Sequence, residues 1–205
     1  MITLYSGTPG AGKSLHLASR LYHWMQYRNA PIVANFSCDF SSIKKPKGQF
    51  IYIDNSQLTP ECLIWFSKNY EQYIGRRPRE GEILLVIDEA QLLFNSREWV
   101  KTDRAEWCAF FTQHRKLGYE VVLVAQMDRM LDRQIRGLVE YEWIHRKCSN
   151  FGVAGKLLGV LFGGKLFVAV KVWYPMKEKV GSEFFVYKKR FSDIYDTYAL
   201  FAIPK

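Results

Sequence analysis

Eight residues near the start of the chain, Gly7-Thr8-Pro9-Gly10-Ala11-Gly12-Lys13-Ser14, have the spacing G-x-x-x-x-G-K-S/T, and their chemistry is that of a phosphate cradle. Glycine tolerates the tight backbone that lets successive N–H groups converge on one anion. Lys13 is expected to reach the β- and γ-phosphates of a nucleotide, and the Ser14 hydroxyl to bind Mg²⁺. The bland alternative is a glycine-rich turn that merely joins a strand to a helix. The flanks favour the cradle: Ile2 to Tyr5 read as a short buried strand, and residues 14–28 as a helix. That helix would add its unpaired N–H groups and the positive end of its dipole to the anion site.

A second group follows Ile83-Leu84-Leu85-Val86-Ile87, an apolar run that predicts a strand covered on both faces. Asp88 and Glu89 fall at its carboxyl end, where open α/β sheets bind ligands. Asp88 is expected to hold Mg²⁺ through water, and Glu89 to orient or deprotonate an attacking water. Such a run ending in Asp-Glu is often structural when it stands alone; downstream of an intact phosphate loop it reads as catalytic. Tyr119 to Ala125 predicts another buried strand, ending at Gln126, whose amide can bond both the γ-phosphate and the lytic water. An ordinary polar residue at a strand end is the alternative for Gln126. Asp128 is expected to cap a helix with Leu131, Ile135 and Leu138 on one face and Arg129, Arg133 and Arg136 on another. These arginines are candidates for a finger supplied to an adjacent subunit, Arg133 and Arg136 ahead of Arg129. Contact with a single-stranded cargo and plain solvation are the other readings.

The elements that must position these groups are legible in outline. Leu15, Ala18, Leu21, Tyr22 and Met25 recur at helical spacing and should face a sheet, with Arg20, His23 and Arg28 on the surface. Pro31 to Phe36 and Phe50 to Ile53 read as strands, the second edge-like. Thr59-Pro60 predicts a helix start, with Leu63, Phe66, Tyr70 and Tyr73 turned inward and Gly75 as the stop. A helix over 103–116 should bury Trp107, Phe110 and Phe111, with Leu117 following and Gly118 as the stop; His114 and Arg115 at its end either meet a neighbouring subunit or complement the dipole. Tyr141 to Lys147 alternates like a strand. The glycine-rich stretch 151–164 contains Leu157 to Phe162, read as a buried strand or a hydrophobic loop that touches a membrane or partner. Lys165 to Trp173 and Phe184 to Arg190 read as strands joined by a loop at 175–182. The sum is an α/β protein: a three-layer αβα P-loop NTPase fold with a doubly wound, mainly parallel sheet and a small C-terminal antiparallel β addition. The expected division is a P-loop ATPase core at 1–147 and a basic extension at 148–205.

Composition narrows the function class. The chain has 205 residues, 48% hydrophobic and 16% aromatic, enough for a buried core and unlike a disordered chain. Of the net charge of +9, the segment from Arg146 to Arg190 supplies +8, through ten Lys/Arg against Glu178 and Glu183. Such a concentration suits nucleic acid or a membrane surface, or simply keeps a face solvated. Cys38, Cys62, Cys108 and Cys148 are scattered, as reduced thiols are, and form no zinc pattern. No run reaches the roughly 18–20 apolar residues of a membrane span, and Met1 leads straight into the first strand. The chain is therefore expected to be soluble, or to be the cytoplasmic part of a longer, anchored protein. The guanine-reading N/T-K-x-D signature is absent, the nearest fragment being Val100-Lys101-Thr102-Asp103. ATP with Mg²⁺ is the expected ligand pair.

The opening Ile2 to Ser14, the Ile87-Asp88-Glu89-Ala90-Gln91 element, the block from Gln113-His114-Arg115 to Gln126, and Tyr195-Asp196-Thr197-Tyr198 together resemble the zonula occludens toxin-like family, the filamentous-phage assembly ATPases. The resemblance spans essentially the whole chain. It implies an ATPase domain on the cytoplasmic face of the inner membrane, tethered there by a later helix. It implies a motor that drives extrusion of single-stranded phage DNA while coat protein assembles around it. A homo-oligomeric ring with an arginine supplied in trans would fit that work. The toxin name rests on a different part of longer family members and is not carried over. A DNA-pumping ATPase of the conjugation or segregation type is the first rival. A nucleotide-gated DNA- or membrane-binding protein with little hydrolysis is the second, and a small-molecule kinase the third.

Overall fold

The computed structural model describes residues 1–95, 101–152, 155, 157 and 161–195. Asp196, Thr197 and Tyr198 lie outside them, as do Leu158, Gly159 and Val160 of the apolar run. Leu157, Leu161 and Phe162 are exposed, so these three do not belong to a buried strand.

Eight strands form one sheet: β1 (Ile2–Ser6), β2 (Pro31–Ala34), β3 (Gln49–Tyr52), β4 (Ile83–Ile87), β5 (Tyr119–Val124), β6 (Tyr141–Lys147), β7 (Leu166–Trp173) and β8 (Glu178–Val186). Their order is β3-β2-β4-β5-β1-β6-β7-β8. Pairing is parallel from β3 through β6 and antiparallel for β6-β7 and β7-β8. The helices whose bounds the described residues define are α1 (Lys13–Tyr27), α2 (Pro60–Ile74), α3 (Lys101–Gln113), α4 (Arg133–Gly137) and α5 (Lys189–Ser192).

Strand alternation sorts the core into two layers. Leu4, Val33, Leu85, Ile87 and Leu123 point to the side closed by Leu63 of α2 and Trp107, Phe110 and Phe111 of α3. Tyr5, Ile32, Val86, Val122 and Val124 point to the side closed by Leu17, Leu21 and Trp24 of α1 and by Phe191 of α5. All five residues of β4 are buried, as its unbroken apolar run requires. Thr59 caps α2 by accepting from the Cys62 N–H at 3.2 Å, Pro60 opens the helix, and Gly75 ends it at φ 69°.

Several surface assignments change. Tyr73 is 87% exposed: the helical period runs on through the last turn of α2, past the strip that meets the sheet. Arg20 is not a surface residue, because its guanidinium donates to Glu120 of β5 at 2.6 Å. His114 is buried rather than turned to a neighbour, and Arg115 pairs with Glu140 at 2.6 Å. The segment 128–138 is not one helix. Asp128–Met130 is a single 3-10 turn, Leu131 is extended, and Asp132 caps α4 by accepting from Gln134 N–H. Arg129 therefore sits apart from Arg133 and Arg136. The C-terminal hairpin closes after Tyr174, so β8 begins at Glu178 rather than at Phe184.

Candidate active site

The strand order places the chemistry. β5 lies between β1 and β4, so Gln126, just past its end, falls between the phosphate loop and the Asp88-Glu89 pair. The foot of the loop is held on both sides. Gly7 N–H donates to the Gln126 carbonyl at 3.1 Å, and Ser6 Oγ donates to Glu142 at 2.6 Å. Gly7 has φ 144°, and a Cβ there would stand 2.6 Å from the His145 carbonyl oxygen. No side chain fits that approach. Gly12 caps α1 in the left-handed region at φ 95° with no side-chain cap, which leaves the first-turn N–H groups of the helix open to an anion.

Lys13 Nζ donates to the Gly7 and Thr8 carbonyls at 2.7 and 3.4 Å. Burial pushes its ammonium below the ordinary lysine range, against the opposing pull of Glu89 and Asp88. Those two carboxylates thus face the lysine across the site. Asp88 is buried, and burial drives its carboxyl above the usual carboxylate range. Its backbone is fixed by Asn35, which donates Nδ2 to the Asp88 carbonyl and accepts the Asp88 N–H, both at 2.8 Å. Its side chain accepts the Glu89 N–H and the Tyr195 hydroxyl. Glu89 itself adopts the left-handed conformation, φ 46° and ψ 47°, uncommon for a residue with a side chain and a feature that clusters at working sites. Its carboxylate accepts from Gln91 Nε2.

A bound Mg²⁺ suits this donor set. Ser14 offers a hydroxyl and Asp88 a carboxylate, both hard oxygens, and the cation that acts on the buried Asp88 among the described residues is Lys13. Among the described residues no cluster of three or more His, Cys, Asp or Glu could cage a metal.

Two clefts flank the loop. One, of about 520 Å³, is lined by Thr8, Gln126, Arg129, Glu142 and Lys147 among others. Of the three arginines considered, Arg129 lines it and Arg133 and Arg136 do not. Arg133 is exposed and Arg136 half-buried on α4. The other cleft, of about 510 Å³, runs from Pro9 and Lys13 to Phe167, Tyr187, Ser192 and Tyr195. Asn35 and Tyr195 were not anticipated as supports of Asp88. They lie 53 and 107 residues from it; Tyr195 stands out in the sequence only as part of the Tyr195-Asp196-Thr197-Tyr198 element, and Asn35 only as a residue of the second strand.

Behind the loop, His145 Nδ1 faces the Ser6 carbonyl at 3.1 Å, a contact only a protonated nitrogen makes. That leaves its Nε2 to accept from His16 Nδ1 at 2.8 Å. Burial, together with the neighbouring His145 and Arg20, lowers His16 from 6.5 to about 3. Burial lowers His145 to about 4 against its hydrogen bonds to Ser6 and Trp143, with Lys13 adding to the drop. Both rings are neutral in the fold, whereas the unfolded chain takes up protons near pH 6.5. Stability should therefore fall as the pH drops below about 6.5, by up to about 1.4 kcal/mol per pH unit for each ring. Urea unfolding at about pH 7 and about pH 5 measures this, and His16→Gln should reduce the difference by about half, His145 supplying the rest. An equal loss in wild type and variant would show that His16 contributes nothing.

A mainly parallel sheet that presents a phosphate loop and an Asp-Glu pair, its aspartate buried, at strand carboxyl ends, with one strand between them, is a P-loop NTPase fold. The solved N-terminal domain of zonular occludens toxin from Neisseria meningitidis superposes with a TM-score of 0.60 at 18% identity, covering 95% of this chain and 98% of that one. The genome packaging NTPase B204 from Sulfolobus turreted icosahedral virus 2, in complex with ATP-gammaS, does so at 0.54 and 14% identity, covering 89% and 95%. The chain belongs to the family described as zonular occludens toxin (Zot), whose model matches residues 1–162. It is also 36% identical over 86 residues to the Gene 1 protein of Enterobacteria phage I2-2, covering 40% of this chain and 24% of that protein. This chain thus spans about a quarter of the length of that curated relative.

Proposed function

We propose that this chain is the ATP-hydrolysing domain of a motor that assembles filamentous phage and extrudes single-stranded DNA through the inner membrane. The observation that carries the reading is the placement of Lys13, in an intact phosphate loop after β1, within electrostatic reach of both Asp88 and Glu89 at the end of β4, one strand away. Kinship with Gene 1 proteins of phages supports the biological setting.

In this reading the loop amides and Lys13 hold the triphosphate, and Ser14 and Asp88 hold Mg²⁺. The metal neutralises charge on the phosphates when bound. Glu89 orients a water and takes its proton as the oxygen attacks the γ-phosphorus and the bond to the β-phosphate oxygen breaks. Gln126, at the edge of the loop, bonds the γ-phosphate and that water. An arginine from the adjacent subunit of a homo-oligomeric ring, Arg133 or Arg136, completes the charge balance. Residues 1–147 are the ATPase core. The basic extension, 148–205, faces DNA or the anionic inner leaflet, with coat protein and the membrane as further partners. Exposed Trp173 and Phe184 among its lysines suit stacking on unpaired bases. Among the described residues no helix is long and apolar enough to cross a membrane; placement at the inner face of the membrane would come from the rest of a longer protein.

ATP turnover measured with single-stranded DNA, with duplex and with neither tests the assignment. Stimulation by single strands of about tenfold over no DNA is expected. Stimulation by duplex alone would move the protein to the segregation type of pump, and no turnover under any condition would remove the motor.

A further inference from the structure

We infer that the aromatic wall raised by the β7-β8 hairpin is the platform for the nucleotide's base, and that it selects purines over pyrimidines. This rests on the reading of the loop as a nucleotide site and adds the specificity of its far end. The β- and γ-phosphates belong at Lys13 and Ser14, and the next amide along the helix is that of Leu15. The nucleoside therefore leaves the loop over the first turns of α1. There the cleft floor is apolar, made by Leu15 and Ala18, and beyond the loop its walls are Phe167, Tyr187, Ser192 and Tyr195, the last already engaged by Asp88. Its volume, about 510 Å³, falls within the range of small-molecule sites.

The wall is rigid. The Phe167 ring stands against Gly12, where a Cβ would meet Phe167 Cδ1 at 2.8 Å. Phe185 stacks behind Phe167 with centroids 5.6 Å apart, and His16 of α1 stacks on Phe185 at 5.1 Å. Tyr187 is 40% exposed, yet it is held by a 2.7 Å hydrogen bond between its hydroxyl and Ser192 Oγ. Lys165 Nζ lies over its ring, 5.1 Å from the centroid. An aromatic ring fixed at a cleft mouth and left partly bare offers stacking surface that the fold does not consume. Stacking reads ring area rather than edge groups, so the larger purine gains more than a pyrimidine.

The test is equilibrium binding of ATP, CTP and inorganic tripolyphosphate by calorimetry. Wild type should bind ATP about threefold more tightly than CTP, a fraction of what stacking a whole base is worth, since both rings stack and the purine covers more area. Tyr187→Ala should weaken ATP about tenfold, leave tripolyphosphate unchanged and erase the preference over CTP, while Tyr187→Phe keeps it. Phe167→Leu should act in the same direction as Tyr187→Ala. Unchanged ATP affinity in Tyr187→Ala, or equal losses for ATP and tripolyphosphate, would overturn the platform while Lys13→Ala still abolished both. A wild-type protein that binds neither ligand would overturn the nucleotide site itself, and the platform with it.

Discussion

Lys13→Ala should lower ATP affinity on the order of 10²-fold or more, because two charge-assisted hydrogen bonds are lost at about 1.5–3 kcal/mol each. The ammonium now sits on the Gly7 and Thr8 carbonyls, partners that a triphosphate replaces with far better acceptors. Burial disfavours its charge and Glu89 and Asp88 offset that only in part, so a bound anion adds the stabilisation the ammonium still lacks. Among the described residues its hydrogen-bond partners are loop carbonyls alone, so the melting temperature of the variant should stay close to that of wild type. Calorimetric titration with ATP beside a thermal melt gives both readings. Wild-type affinity in Lys13→Ala would deny the loop its assigned role.

Glu89→Gln should separate capture from chemistry. A general base contributes on the order of 10²–10⁴-fold to rate, and the amide is isosteric but cannot accept the water's proton. ATP should bind at least as well as in wild type, since a negative charge facing the γ-phosphate is removed. The left-handed backbone at Glu89, tied by its N–H to Asp88 at 2.8 Å, turns the chain sharply at the end of β4, and Gln can hold the same turn. Phosphate release in a single-turnover experiment, with ATP retention on the same sample, decides the matter. Undiminished turnover would remove Glu89 from the mechanism.

The fold was legible wherever a local pattern and the tertiary demand coincide. The runs 83–87 and 121–124 can only be strands buried on both faces, and they are. The phosphate loop is a purely local device, so its strand, turn and helix could be drawn from their order alone. Misreadings arose where one periodicity covered two elements, or where the partner lay far along the chain. The arginines at 129, 133 and 136 keep helical spacing, but Asp132 starts a new helix within that interval. Nothing near Arg20 announces Glu120, 100 residues away. Support of Asp88 by Asn35 and Tyr195 likewise comes from strand order and chain return, which no short motif encodes.

The double anchorage of Ser6 and Gly7, to β5 on one side and β6 on the other, bears on the thermodynamics of capture. A slack loop must surrender about 1–2 kcal/mol of backbone freedom for every residue that a ligand orders. Here that entropy is surrendered once, when the sheet forms, so most of the attraction for an incoming phosphate is left to appear as affinity.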